Sequence, residues 1–152
     1  TPKFVLIMNN LLVALDIKPT DSVLLNQASS LAEKFGSKIW LVHVAPTDPD
    51  FVGFEMGPKY VRDFVAEELR TEHRQLQTYT DQLQQKGLKA EGLLIQGSTV
   101  EMIESEVQKL YIDLLILGSH KHGLLYEIFV GHTASKIIRE ISVPVLIIPL
   151  PD

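Results

Sequence analysis

The chain is expected to fold as an α/β domain, a mainly parallel sheet with helices on both faces. Short apolar runs and longer helical patterns alternate along it in the order βαβαβαβαβ. The short runs are apolar nearly throughout, as strands covered on both faces are, and do not alternate apolar with polar residues. Strands joined through helices run parallel, with right-handed crossovers that lay the helices on the sheet. Open sheets of this class take ligands at the carboxyl ends of their strands, where the winding direction reverses.

The first run, Leu11-Leu12-Val13-Ala14-Leu15, ends at Asp16. Pro19, Thr20, Asp21 and Ser22 mark a helix start. Leu24, Leu25, Ala28, Leu31, Ala32 and Phe35 follow at helical spacing, and Gly36 is a natural stop. Ile39 to Val44 is the second strand, in which His43 reads as a hydrogen-bonded core histidine and Trp40 as core or sheet face. Residues 45–58 form a loop whose Phe51, Phe54 and Met56 suggest that it folds over a neighbouring surface. From Tyr60 to Lys86, an apolar stripe of Val61, Phe64, Val65, Leu69, Leu76, Tyr79 and Leu83 predicts a long amphipathic helix. Its Glu, Arg and Gln residues read as a solvated face.

Leu93-Leu94-Ile95 is the third strand, ending at Gln96-Gly97. Ser98-Thr99-Val100-Glu101 has the pattern of a capping box and opens a helix to about Leu110. Leu114 to Leu117 is the fourth strand, ending at Gly118. A loop bearing Gly and His runs from Gly118 to Gly131, and a short helix covers about Thr133 to Glu140. Val143 to Pro149 is the fifth strand, and its flanking prolines suit a sheet edge.

The length of 152 residues is that of one domain, read as residues 8–152. Residues 1–7 are a leader before a start at Met8 or an extension of the first strand, and carry no part of the functional reading. Apolar residues make up 45%, which suits a globular core and not a disordered chain. The absence of Cys excludes a disulfide scaffold, thiolate metal sites and Cys nucleophiles. With 14 basic and 19 acidic residues the net charge is -5, so no nucleic-acid partner is expected. No apolar run nears the roughly 20 residues of a membrane helix, so a cytoplasmic protein with no membrane partner is expected.

The residues just after the strands are the ones to weigh for chemistry. A carboxylate at Asp16 can cap the next helix, bond a ribose or base, or hold a metal. A receiver domain would carry paired acids there and a phospho-accepting Asp after the third strand, where this chain has Gln96-Gly97. A pyrophosphatase-type ATP enzyme would carry Ser-Gly-Gly where this chain has Asp16-Ile17-Lys18-Pro19. The strongest signal is Gly118-Ser119-His120-Lys121-His122-Gly123 with Gly131-His132-Thr133 beyond it. Glycine lets backbone N–H groups approach an anion, and a helix starting near Gly131 would aim its positive end at the same group. The spacing matches neither a Walker loop nor the dinucleotide fingerprint.

On these residues, from Asn10 to Pro149, the chain resembles the universal stress protein family. Leu11 to Asp16, Leu41 to Val44, Leu114 to His120 and Pro144 to Pro149 look like that family's first, second, fourth and fifth strands. The resemblance implies a five-stranded Rossmann-like sheet in the order 3-2-1-4-5, of the adenine-nucleotide alpha-hydrolase-like kind, and a homodimer joined through Val143 to Pro149. It implies a stress-associated regulatory protein that binds ATP, ADP or AMP, with Mg²⁺ accompanying ATP. The adenine side would be Ala14, Leu15, Asp16 and Val44. The phosphate side would be Gly118, His120, Lys121, Gly131, His132 and Thr133. The family's phosphate motif has a second Gly where Lys121 stands, and a Ser or Thr where His132 stands.

Those departures motivate an alternative, a dimeric interaction module that binds no nucleotide. A metal site built on His120, His122 and His132 lacks converging partners, and exposed imidazoles are the plainer reading. No base–nucleophile pair can be named, so no catalytic residue is assigned and at most slow ATP hydrolysis is expected.

Overall fold

The computed structural model describes residues 7–45, 59–119, 137 and 139–151. In chain order the elements are β1 (Asn10–Ala14), α1 (Asp21–Phe35), β2 (Lys38–Ala45), α2 (Lys59–Gln85), β3 (Lys89–Gln96), α3 (Thr99–Lys109), β4 (Leu114–Ser119) and β5 (Val145–Pro149). Ile137, Arg139 and Glu140 are helical, at the end of the short helix expected over 133–140. The five strands form one parallel sheet in the order β3-β2-β1-β4-β5.

Alternation along each strand divides the core between the two faces of the sheet. Leu11, Val13, Leu15, Ile39, Leu41 and Ile116 pack with Leu24, Leu25, Ala28 and Ala32 of α1 and with Leu76 and Leu83 of α2. Leu12, Val42, Leu115 and Leu117 pack on the other face with Val100, Ile103 and Val107 of α3 and with Ile137 and Ile141. The helices that carry the chain from β1 outward to β3 thus cover one face, and those that lead to β4 and β5 cover the other. Right-handed crossovers require this when the winding direction reverses.

Several boundaries differ from the sequence reading. β3 begins at Lys89 and not at Leu93. It is an edge strand with Lys89 and Glu91 exposed, so its first half shows no apolar run. β5 also lies at an edge, as its prolines suggest, but starts at Val145 rather than Val143. Ser98 occupies the N-cap of α3, yet its side chain makes no capping hydrogen bond; neither does that of Thr20 before α1.

The stripe of α2 is buried at Leu76 and Leu83, whereas Phe64 is exposed. A helix of 27 residues is about 40 Å long, against about 26 Å for an eight-residue strand, so it overruns the sheet. Thr80 and Leu76 of α2 sit so close to Gly92 that a Cβ there would meet them at 2.8 and 3.1 Å, and the missing side chain lets α2 lie directly on β3.

Candidate functional site

From β1 the chain moves one way through β2 to β3, then crosses back to β4 and β5 on the other side of β1. The reversal therefore falls between the carboxyl ends of β1 and β4, which is where this fold class forms its ligand crevice. Val13 pairs with Ile116, and Ala14 with Val42. Extending those registers sets Asp16 level with Ser119 on one side and Val44 on the other. Ala14, Leu15, Asp16, Val44 and Gly118 are accordingly brought to one edge of the sheet. His120, Lys121, Gly131, His132 and Thr133 lie outside the described residues, as does His122.

The end of β1 is heavily braced. The Leu15 N–H donates to the Val42 carbonyl at 2.8 Å. The Leu15 carbonyl lies 2.7 Å from His43 Nδ1, and since a carbonyl only accepts, this ring nitrogen carries the proton. His43 Nε2 lies 3.0 Å from Glu72 Oε2 of α2. That oxygen is buried and makes no hydrogen bond of good geometry. His43 is thus the hydrogen-bonded histidine expected. Leu15 itself is 3% exposed and its side chain belongs to the core, which leaves only its backbone near a ligand. Trp40 lies at the other end of β2, half-buried on the sheet, with Nε1–H donating to Asn10 Oδ1 at 3.2 Å and the Lys38 ammonium 3.9 Å from its ring centre.

Asp16 and Val44 are half-buried. Behind Asp16 sits Asp21, almost fully buried at the first position of α1. Its Oδ1 accepts from the Asp16 N–H at 3.3 Å and its Oδ2 from the Lys18 N–H at 3.1 Å. The Tyr79 side chain of α2 lies beside the same carboxyl and pulls its pKa down. Burial pushes the Asp21 carboxyl above its ordinary value of 3.8, and the nearby Asp16 charge pushes the same way, against the pull of the hydrogen bonds. Burial and the Asp21 charge likewise raise the Tyr79 hydroxyl.

A carboxyl raised on folding holds its proton more tightly in the folded state. Its contribution therefore favours folding below the unfolded value and is lost as pH rises through the raised folded value. Wild-type stability measured against Asp21→Asn should decline over that rise, in urea unfolding followed across a pH series. Parallel stability curves for the two proteins would refute this linkage.

Gly118 is buried near the end of β4. A Cβ there would lie 2.4 Å from Leu150 Cδ1, 3.0 Å from Leu150 Cγ and 3.4 Å from Leu24 Cδ1. Glycine at this position thus has a packing reason in addition to the anion approach read from the sequence. That face of β4 is filled by Leu150.

Asp21, Glu72 and Tyr79 were not singled out from the sequence as site residues. Tyr79 read as one more apolar-stripe position and Glu72 as part of a solvated face. Glu72 and Tyr79 are seven residues apart, two helical turns, and so share a face of α2. The rest of that polar face is largely as expected, for example Glu67 with Arg70 and Arg74, an exposed group in which the Arg70 hydrogen bond lowers the Glu67 carboxyl. Among the described residues no group of three or more His, Cys, Asp or Glu side chains is placed to hold a metal. No described helix is long and apolar enough to cross a membrane.

The fold defines a doubly wound α/β domain whose winding direction reverses between β1 and β4. The sequence pattern of the universal stress protein family matches residues 8–149, and the chain belongs to that family. It is 30% identical over 150 residues to a universal stress protein A homolog of Haemophilus ducreyi, covering 94% of this chain and 97% of that one. Among solved structures it is similar to a universal stress protein in complex with cAMP, at a TM-score of 0.67 and 14% identity over 93% of this chain and 97% of the other. It is also similar to a universal stress protein from Archaeoglobus fulgidus in complex with dAMP, at a TM-score of 0.61 and 18% identity over 95% and 99%.

Proposed function

We propose that this chain is a stress-associated regulatory protein, working in the cytoplasm, that binds an adenine nucleotide in the crevice between β1 and β4. The reversal of strand order between β1 and β4, with Asp16 just after β1 and Gly118 and Ser119 at the end of β4, supports this reading. The cAMP and dAMP complexes of two structural relatives support the nucleotide class. Asp16 would accept from the adenine amino group or a ribose hydroxyl, and Val44 would pack beside the base. Ala14 and Leu15 would line the adenine side. The phosphates would lie toward β4, where Gly118, His120, Lys121, Gly131, His132 and Thr133 would surround them. The site would take AMP, ADP or ATP, the last with Mg²⁺, and Lys121 in place of a second Gly would favour the shorter phosphate chains.

Equilibrium dialysis with labelled AMP, ADP and ATP tests this. Wild-type protein should bind, and Asp16→Ala should bind about tenfold more weakly or worse, the loss of one charge-assisted hydrogen bond. An unchanged affinity in that variant would place the ligand elsewhere. The alternative, a dimeric module without nucleotide, is motivated by Lys121 and His132. It predicts no binding until Lys121→Gly and His132→Ser are combined.

We further propose a homodimer joined through β5. This strand is a sheet edge, and Ile147 on it is 47% exposed. An apolar open edge is a template for strand-to-strand contact, and a Lys placed there blocks it. Ile147→Lys should therefore shift the sedimentation profile from dimer to monomer, with no loss of helical circular dichroism. A wild-type protein that sediments as a monomer would exclude the interface.

A further inference from the structure

We propose that Asp21 is a positioning residue that fixes the Asp16–Ile17–Lys18 turn and thereby presents Asp16 to the ligand. What Asp16 receives rests on the nucleotide reading above; the clamp on the turn does not.

Ile17 adopts φ +58, in the left-handed region. A β-branched residue is rare there, and it persists only where the surroundings hold it. Ile17 is anchored on one side by packing against the α1 and α2 face of the core. Its two neighbours are anchored by a single carboxylate, because Asp21 accepts the N–H of Asp16 with one oxygen and that of Lys18 with the other. The Asp21 N–H returns to the Lys18 carbonyl at 2.9 Å and closes the loop.

A carboxylate serving only its own helix would accept N–H groups further along that helix. Asp21 instead faces back to the end of β1. A carboxylate only 2% exposed is costly to bury without such donors. Tyr79 of α2 lies beside the same carboxylate, and Leu76 and Leu83 on the same stripe are buried and hold that helix in place. The same helix also meets the end of β1 through Glu72 and His43. The turn that carries Asp16 is therefore built from α1 and α2 together.

Amide hydrogen exchange by NMR on the full chain tests the clamp, with an AMP titration of each protein alongside. In Asp21→Ala, exchange at Asp16 and Lys18 should quicken by about tenfold beyond any change at the core amides of Leu12 and Ile116, the equivalent of one charge-assisted hydrogen bond. Asp21→Asn, which keeps one acceptor oxygen, should fall between Asp21→Ala and wild type. Tyr79→Phe should give a smaller rise at the same two amides. AMP affinity should weaken in the same order although Asp16 is intact in every variant.

If Asp16 and Lys18 quicken only as much as the core amides, Asp21 is merely part of the core and the proposal falls. If the amides are freed but AMP affinity is unchanged, the turn does not present Asp16, and the proposal also falls. A wild-type protein that binds no AMP refutes the nucleotide reading instead, and the clamp is then judged by exchange alone. Should Asp21→Ala not fold, Asp21→Asn and Tyr79→Phe give the same discrimination.

Discussion

Leu150→Ala lowers the stability of the fold by about 2–5 kcal/mol, Gly118→Ala lowers it by about 1–3 kcal/mol, and the double variant loses less than the sum. Leu150 is 7% exposed and lies just beyond β5, with its N–H donating to the Ser119 carbonyl at 2.9 Å. Its side chain occupies the space where a Cβ on Gly118 would stand. Truncating Leu150 empties that space, and adding a methyl to Gly118 overfills it. Combining the two changes relieves the clash, so a double-mutant cycle in urea should show a favourable coupling of about 0.5–3 kcal/mol. Additive losses would mean that the two residues do not share one space. The cycle separates the packing role of Gly118 from any part in ligand binding, because it needs no ligand.

Leu41→Ala should cost about 2–5 kcal/mol in the same assay. Leu41 is fully buried in β2 on the α1 and α2 face of the core. It is flanked by Val13 of β1 and by Gly92 of β3. Gly92 has no side chain to move into the hole, and the paired backbones on both sides prevent β2 from closing it. The upper part of the range is therefore expected. A loss below about 1 kcal/mol would contradict the interior placement of β2.

The strands and helices were legible because buried parallel strands and amphipathic helices each leave a periodic apolar signature. Leu11 to Leu15 and Leu114 to Leu117 could be found for that reason. The first half of β3 could not, because Lys89 and Glu91 sit on an open edge where nothing demands apolar residues. Asp16, Val44 and Gly118 were legible as strand-end residues because each lies at the end of an apolar run. The roles of Asp21, Glu72 and Tyr79 were not legible, since they depend on which face of α1 or α2 turns back toward the end of β1. A Glu on a helix has the same spacing signature whether it faces water or, as Glu72 does, a strand-end histidine. The capping pattern at Ser98 shows the converse, a spacing signature without the expected side-chain hydrogen bond.

The proposed adenine nucleotide enters at the carboxyl ends of β1 and β4. Backbone amide shifts recorded during an AMP titration test this placement most directly. Saturable shifts should appear at Leu15, Asp16, Val44, Gly118 and Ser119, while Asn10, Tyr111 and Asp113 at the opposite edge of the sheet stay unmoved. An absence of saturable shifts, or shifts gathered at that opposite edge, would contradict it.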